Sequence, residues 1–262
     1  MLSSTEIHRL RAIALVLLAA ACLAGCASVP RDDDARDPYD PLEPLNRKVF
    51  AFNMAVDRAV LRPVARGYDN VAPRPVKSGV ANFFDNLSTP LWVLNHLLQG
   101  NLADAGRQSG RFVVNSTIGL LGLFDPADDA GLRKNSANFN QTLGKWGVPS
   151  GPYLMVPFLG PNTPRSGLGW YARYHTDIVW NYLDDNRSLR DKLVALDIVD
   201  TRRRLLPLDR TLERAPDPYI MMREAYRQRV EFEIRGEAGL DDDFDFDDFD
   251  DFDDFDDFDD FD

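Results

Sequence analysis

Apolar side chains recur at helical spacing along most of the chain. In LNRKVFAFNMAVDRAV (45–60), Leu45, Val49, Phe52, Val56 and Val60 fall four, three, four and four residues apart, which marks one apolar helix face. Arg62-Pro63 is expected to end or kink that helix, because proline lacks the amide hydrogen and crowds the preceding turn. In SGVANFFDNLSTPLWVLNHLLQG (78–100), Phe84, Leu87, Leu91, Leu94 and Leu98 alternate spacings of three and four. Thr89 before Pro90 reads as an N-cap followed by the first helical position, and Gly100 as a stop. Two short helices sharing a broad apolar side are expected there. Phe83, Pro90, Trp92, Val93 and Leu97 widen that side beyond a stripe, as in a helix that is deeply buried or touches lipid.

FVVNSTIGLLGLF (112–124) is 13 residues without a charge, bounded by Arg111 and Asp125. As a helix it reaches about 20 Å, short of a bilayer core of about 30 Å, so it fits an in-plane or re-entrant helix. From 144 to 169, six Gly and five Pro fall within 26 residues, which predicts a stiff loop with one short strand near 153–158 and no regular helix. Long loops in compact domains tend to be functional. Helical patterns resume at 168–183 and 188–206. The last element opens on Asp217-Pro218, with Tyr219, Met222, Tyr226 and Val230 on one face, Arg223, Glu224, Arg227 and Glu231 on others, and Gly236 closing it. The body reads as all-α.

Charge divides the 262-residue chain differently. The formal net charge is −12, but residues 241–262 hold 15 Asp and 7 Phe and nothing else; without them residues 1–240 carry +3. A strongly acidic or basic globule is excluded for the body, and with it any nucleic-acid reading from charge. At the other end, His8, Arg9 and Arg11 lead into ten apolar residues, Ala12 to Ala21, and then Leu23-Ala24-Gly25-Cys26. Ten residues cannot cross a bilayer, so residues 1–25 read as a secretory signal peptide. Small residues before Cys26 resemble a lipobox, in which the thiol is lipidated and becomes the new N-terminus. Residues 26–41, polar and proline-containing, read as a tether.

Recognised catalytic patterns are missing. Past residue 25 the histidines are His96 and His175, 79 residues apart, and no His, Cys, Asp or Glu pair has a known metal spacing; neither a G-x-S-x-G elbow nor a Walker A motif occurs. His96 within an apolar helix reads as a hydrogen-bonded structural residue, and Arg202-Arg203-Arg204 as a solvated helix end. The expectation is a non-enzyme with no cofactor and no metal.

Several blocks in order resemble the MlaA/VacJ family of outer-membrane lipoproteins: DPLEPLNRKVFAFN (40–53), RPVA (62–65), NFFDNLSTPLWVLNHLLQG (82–100), RFVVNSTIGLLGLFDPA (111–127), FNQTLGKWGVPSGPYLMVPFLGP (139–161) and DPYIMMREAYRQR (217–229). The resemblance implies a ring-like arrangement of short amphipathic helices in the periplasmic leaflet of the outer membrane, spanning residues 42–238. It implies removal of phospholipid misplaced in the outer leaflet and its passage through an amphipathic pore to a periplasmic lipid-carrier protein, beside a trimeric porin. Under it, Cys26 is the lipidation site, Asn53, Met54, Asn115, Leu120, Leu121 and Phe124 are lipid or pore candidates, and Gly144, Gly147 and Gly151 are hinge candidates of a gating loop. Asn82, Asn86, Asn95, Ser116 and Thr117 suit a polar wall, whereas Phe83, Leu87, Leu91 and Leu94 read mostly as core. A membrane-bracing or porin-binding adaptor and a phospholipase-like enzyme are the competing readings.

The tail (239–262) lies beyond the resemblance. On an α-helix a DDF period would spread Phe over all faces while Asp repels Asp, so disorder is expected. Three roles stay open for it: capturing the carrier, folding back on Arg202–Arg204 or Arg223–Arg229, or solubilising without a partner.

Overall fold

In the computed structural model, residues 37–176 and 186–235 are described. The expected signal peptide, Cys26, most of the tether, the end of the 168–183 helix, Gly236 and the Asp/Phe tail lie outside them. The described residues are mostly helical, with one two-stranded hairpin.

Helix α1 (Glu43–Val56) carries the first apolar face, but it does not stop at Arg62-Pro63. It runs through a π segment (Asp57–Leu61) into α2 (Arg62–Val71). The Arg62 amide bonds the Asp57 carbonyl, five residues back. The extra residue in that turn gives the Pro63 ring room where an α-turn would press it on the preceding carbonyl, so the break expected from proline becomes a bulge.

The two helices expected over 78–100 are one, α3 (Arg74–Leu98), with Pro90 inside it. Thr89 does not cap; its hydroxyl donates back to the Asp85 carbonyl at 2.9 Å. Gly100 (φ +75°) stops the helix as expected and turns the chain into α4 (Leu102–Thr117). Asn101 caps α4 by accepting from the Asp104 amide at 3.2 Å. The packing of α4 back along α3 is the broadest helix contact of the fold, and it holds α3 continuous through its proline. The uncharged 112–124 stretch is therefore not one helix. Its first half ends α4 and its second half, 118–124, is a compact turn.

After α5 (Pro126–Asp129), a capping box of Asn138 and Gln141 starts α6 (Phe139–Lys145). The Gly/Pro-rich stretch then gives an antiparallel hairpin, β1 (Leu154–Val156) and β2 (Gly160–Asn162), with Met155 opposite Pro161. It ends earlier than composition suggests, because Pro164 opens α7 (Pro164–Thr176) at a position where its missing amide costs nothing. Helix α8 (Arg187–Arg204), a 3-10 turn (Leu206–Leu208), α9 (Asp209–Arg214) and α10 (Pro218–Arg235) complete the body. Asp217 caps α10 by accepting from the amides of Tyr219 (3.0 Å) and Ile220 (3.2 Å).

The apolar core is small: Tyr153, Met155 and Tyr219, ringed by Tyr39, Val49, Phe50, Ile220, Met222 and Tyr226. Polar groups stitch it. Asn46 on α1 donates to the Tyr153 carbonyl (3.1 Å) and to Asp40 (2.8 Å) and accepts from the Met155 amide (2.9 Å). Asp40, fully buried, also accepts from the Tyr219 hydroxyl and from Arg223 at 3.3 Å. Tyr39 and Asp40 thus belong to the body rather than to the tether, and Arg223, which the spacing sets off the apolar face of α10, is buried against them. Burial first, then the neighbouring Tyr226, pushes the Tyr39 hydroxyl up to about 12, and burial raises Tyr153 and Tyr219 further, so all three stay neutral.

Candidate lipid-contacting surface

The turn at 118–124 follows directly from the end of α4. The Gly122 amide donates to the Asn115 carbonyl (2.8 Å) and the Phe124 amide to the Gly119 carbonyl (2.9 Å). Leu120 (φ 51°) and Leu121 (φ 62°) are left-handed, a conformation costing an ordinary residue roughly 1–2 kcal/mol. Gly122 (φ +89°) sits so close to α3 that a Cβ there would lie 2.4 Å from Cβ of Asn86. The strain is held from below. The Asn115 amide group donates to Asp125 (2.8 Å) and its oxygen accepts from the Ala127 amide (3.1 Å). Buried Arg111 pairs with Asp125 at 2.5 Å and Asp128 at 3.5 Å and donates to the Leu132 carbonyl. A rigid polar base therefore presents an apolar crown: Leu120 is 60 % exposed, Leu121 69 %, Phe124 61 % and Ile118 71 %. Holding bulky apolar residues in left-handed backbone so that they face outward is a reason to look for function there.

The six lipid or pore candidates thus separate. Leu120, Leu121 and Phe124 share the crown, while Asn115 is its buried latch, 6 % exposed, and cannot itself line an open wall. Asn53 is also structural: it donates to the Val156 carbonyl (3.0 Å) and accepts from the Phe158 amide (2.9 Å), fixing the hairpin tip onto α1, with half-buried Met54 beside it in sequence. The polar residues assigned to a wall divide likewise. Asn86 donates to Ser116 (3.0 Å), and Asn95 bonds the Leu91 carbonyl (2.8 Å) and accepts from Thr142 (2.8 Å); both are buried between helices. Of the residues read as core on α3, Leu87 and Leu91 are half-buried and Leu94 is exposed.

Among the loop glycines, Gly144 lies in the last turn of α6, where a Cβ would meet Cδ1 of Ile234 at 2.5 Å, so it permits a close helix approach. Gly147 (φ +84°) and Gly151 (φ +76°) occupy left-handed turns, Gly147 in open space and Gly151 against Pro164.

Sequence reasoning missed the hairpin tip. Phe158 (φ 64°), 74 % exposed, stands edge-on to exposed Phe52 with ring centroids 5.2 Å apart, and Leu159 follows it outward. The signal was available: a Pro-Phe-Leu-Gly turn puts large apolar residues where turns ordinarily carry polar ones. Trp146, Trp170, Tyr171 and Tyr174 are exposed as well.

The burial pattern of the whole body repeats this. Among the described residues the buried set holds nine apolar residues, four of them alanine, against 19 polar or charged ones, while 28 large apolar residues are exposed. A water-soluble domain distributes them the other way. The Arg202–Arg204 run illustrates it: rather than a solvated helix end, Arg202 pairs with Asp57 (2.5 Å) and Asp209 (2.7 Å), and Arg203 and Arg204 converge on fully buried Asp200 at 3.1 and 3.3 Å. Burial raises the Asp57 carboxyl, but hydrogen bonds from Arg202 and Arg62 outweigh it and hold the group below the usual carboxylate range. Buried His96 contacts the Asn135 carbonyl at 3.1 Å, a structural role. Among the described residues no His/Cys/Asp/Glu group is placed to hold a metal.

A helical body with polar groups inside and apolar side chains outside has the make-up of a membrane-associated helical protein, and none of the described helices is long and apolar enough to cross a bilayer. The chain matches the MlaA lipoprotein family over residues 38–233 and belongs to that family. It is 37 % identical over 232 residues to the intermembrane phospholipid transport system lipoprotein MlaA of Escherichia coli K12, covering 87 % of this chain and 90 % of that one. To the protein of the same name from Haemophilus influenzae it is 34 % identical over 229 residues, covering 86 % and 90 %. A chain solved in work on the structural basis for maintenance of bacterial outer membrane lipid asymmetry superimposes with TM-score 0.67 at 36 % identity, over 76 % of this chain and all of that one.

Proposed function

We propose that this protein is the outer-membrane lipoprotein component of a phospholipid transport system, anchored through Cys26 in the periplasmic leaflet, and that it takes phospholipid from the outer leaflet and passes it to a periplasmic lipid carrier. The observation that carries the reading is the inverted burial pattern, polar inside and apolar outside. A phospholipid needs an apolar wall for its chains and a polar one for its head group, and helices lying in one leaflet supply both without leaving backbone unpaired in hydrocarbon. The crown of Leu120, Leu121 and Phe124 contacts acyl chains, and the loop through Gly147 and Gly151 moves to admit them. Among the described residues nothing suggests an energy source, so the protein is a passive conduit whose net direction is set by the machinery downstream. A trimeric porin beside it is the partner the family resemblance implies.

The test is surface labelling of outer-leaflet phospholipid in cells lacking the gene. The label is expected to rise without the gene and to return to normal with the wild-type chain but not with one cross-linked across residues 144–151. An unchanged label overturns the transport reading, and full rescue by the cross-linked chain shows an adaptor instead. Cys26→Ala is expected to lower the share of the protein in the outer-membrane fraction to what the apolar surface of the body retains without the acyl anchor.

A further inference from the structure

The Asp/Phe tail had two arginine clusters offered to it by sequence, and both are already occupied. Arg202, Arg203 and Arg204 are held by Asp57, Asp209 and Asp200, and Arg223 and Arg227 by Asp40 and Glu224. A different cluster is open. Arg58, Arg62 and Arg66 stand one helical turn apart along the π segment and α2. Arg62, buried, reaches across to Glu213 on α9, which docks that helix beside them. Arg210 and Arg214 lie three residues before and one after Glu213. Arg58 and Arg66, one turn to either side of Arg62, fall at the same corner, and their charges add to the Arg62 hydrogen bond that holds Glu213 below its usual range. Arg58, Arg66, Arg210 and Arg214 are exposed, and none makes a salt bridge among the described residues. With Arg62 and Arg202 beneath them, six arginines face three carboxylates, Asp57, Asp209 and Glu213. Leu208, on the 3-10 turn that packs on α2, and Leu205, just before that turn, are both exposed and adjoin the corner.

We propose that this corner is the docking surface of the chain's own C-terminal segment, residues 241–262, whose aspartates pair with Arg58, Arg66, Arg210 and Arg214 and whose phenylalanines cover Leu205 and Leu208. The chemistry is complementary in both respects: an excess of exposed guanidinium against 15 carboxylates, and exposed leucines against 7 phenylalanines. Reach allows it. The corner lies near the start of α10, which opens four residues after Arg214, and α10, 18 residues long, carries the chain about 27 Å away to Arg235. Seventeen further residues bring the chain to Phe252 in mid-tail, with an extended reach of roughly 55 Å, so the tail can return along α10 to the corner. Because the tail is covalently attached, weak individual ion pairs act at high effective concentration. The docked tail neutralises a basic corner that otherwise attracts anionic lipid head groups or an acidic partner.

Limited chymotrypsin digestion of the full chain tests this, because the phenylalanines of the tail are cleavage sites and the loss of the tail is read by mass. The free peptide Asp241–Asp262 is digested in parallel as the reference for enzyme and salt effects. Docking predicts that the tail of the intact chain is cut at least about threefold more slowly than the peptide at low salt and at nearly the peptide's rate in 0.5 M salt, as expected of exposed ion pairs. The variant R58Q/R66Q/R210Q/R214Q, checked by circular dichroism for intact helices, is expected to lose the protection at low salt. A tail cut as fast as the free peptide at low salt overturns the proposal and leaves the segment for a partner in trans. Protection that survives the four substitutions overturns the assignment of the corner.

Discussion

Replacing Leu120 and Leu121 by asparagine separates lipid contact from stability. Fully burying a leucine side chain is worth roughly 1.5–3 kcal/mol. The two side chains are 60 % and 69 % exposed, so the part each still offers to lipid is worth about 1–2 kcal/mol, together roughly 2–4 kcal/mol. Asparagine tolerates the left-handed backbone that both positions adopt (φ 51° and 62°), so the turn keeps its shape and loses only its apolar face. The assay is flotation of a non-acylated Cys26→Ala chain with phospholipid vesicles, with thermal unfolding in detergent as the control for folding. The partition coefficient of L120N/L121N is expected to fall roughly 30-fold to several hundred-fold, at about 1.4 kcal/mol per factor of ten, with unfolding unchanged or slightly delayed. A drop of less than threefold in a normally folded variant refutes the lipid-facing role of the crown.

Asn115→Ala removes the latch: the Ala127 amide loses its acceptor and Asp125 a donor, so stability should fall by about 2–3 kcal/mol in denaturant unfolding. Gly122→Ala should cost more than Gly147→Ala by a similar amount, because both have positive φ but only the first places a methyl within 2.4 Å of Asn86. The pH dependence follows from Asp217 and Asp57. Asp217 is held below its usual range chiefly by the Arg47 hydrogen bond, and Asp57 by Arg202 and Arg62 against its burial. A depressed folded-state carboxyl contributes stability that is fully present above the ordinary value near 4 and is lost as pH falls through the lower folded value. Acid melting curves should therefore steepen below about pH 4, and Asp217→Asn should flatten them.

The elements that the sequence discloses are those decided locally. Gly100, Asp217-Pro218, and the uncharged run ending at Asp125 all mark real boundaries, because a cap or a left-handed turn is set by one or two residues. The failures lie where distant packing overrides local preference. Pro63 and Pro90 both signal a break, yet a π bulge absorbs the first and the long contact of α3 with α4 absorbs the second. The site was half legible for the same reason. Leu120, Leu121 and Phe124 stand out by composition, whereas the burial of Asn115, Asn86 and Arg223 depends on partners on other elements, which spacing cannot reveal.

These buried polar partners explain how the body coheres without a large apolar core. On the proposed placement in a leaflet, the hydrocarbon is as apolar as leucine, so apolar side chains gain nothing by leaving the surface, and helices associate instead through small residues and hydrogen bonds. The α3–α4 contact has this composition. Asn86 on α3 donates to Ser116 on α4, and Gly122, in the turn that follows α4, lies so close to Asn86 that a Cβ would meet it at 2.4 Å. The ion pairs of Arg62, Arg111, Arg202 and Arg223 do the same between more distant elements. Removing one partner of such a pair leaves a buried charge unmatched, which costs more than the pair itself contributes. Arg111→Met is accordingly expected to destabilise the chain more than the L120N/L121N change, although methionine is the more apolar residue. Unfolding in detergent decides between them: if Arg111→Met is the milder change, the body is held together by its apolar contacts after all.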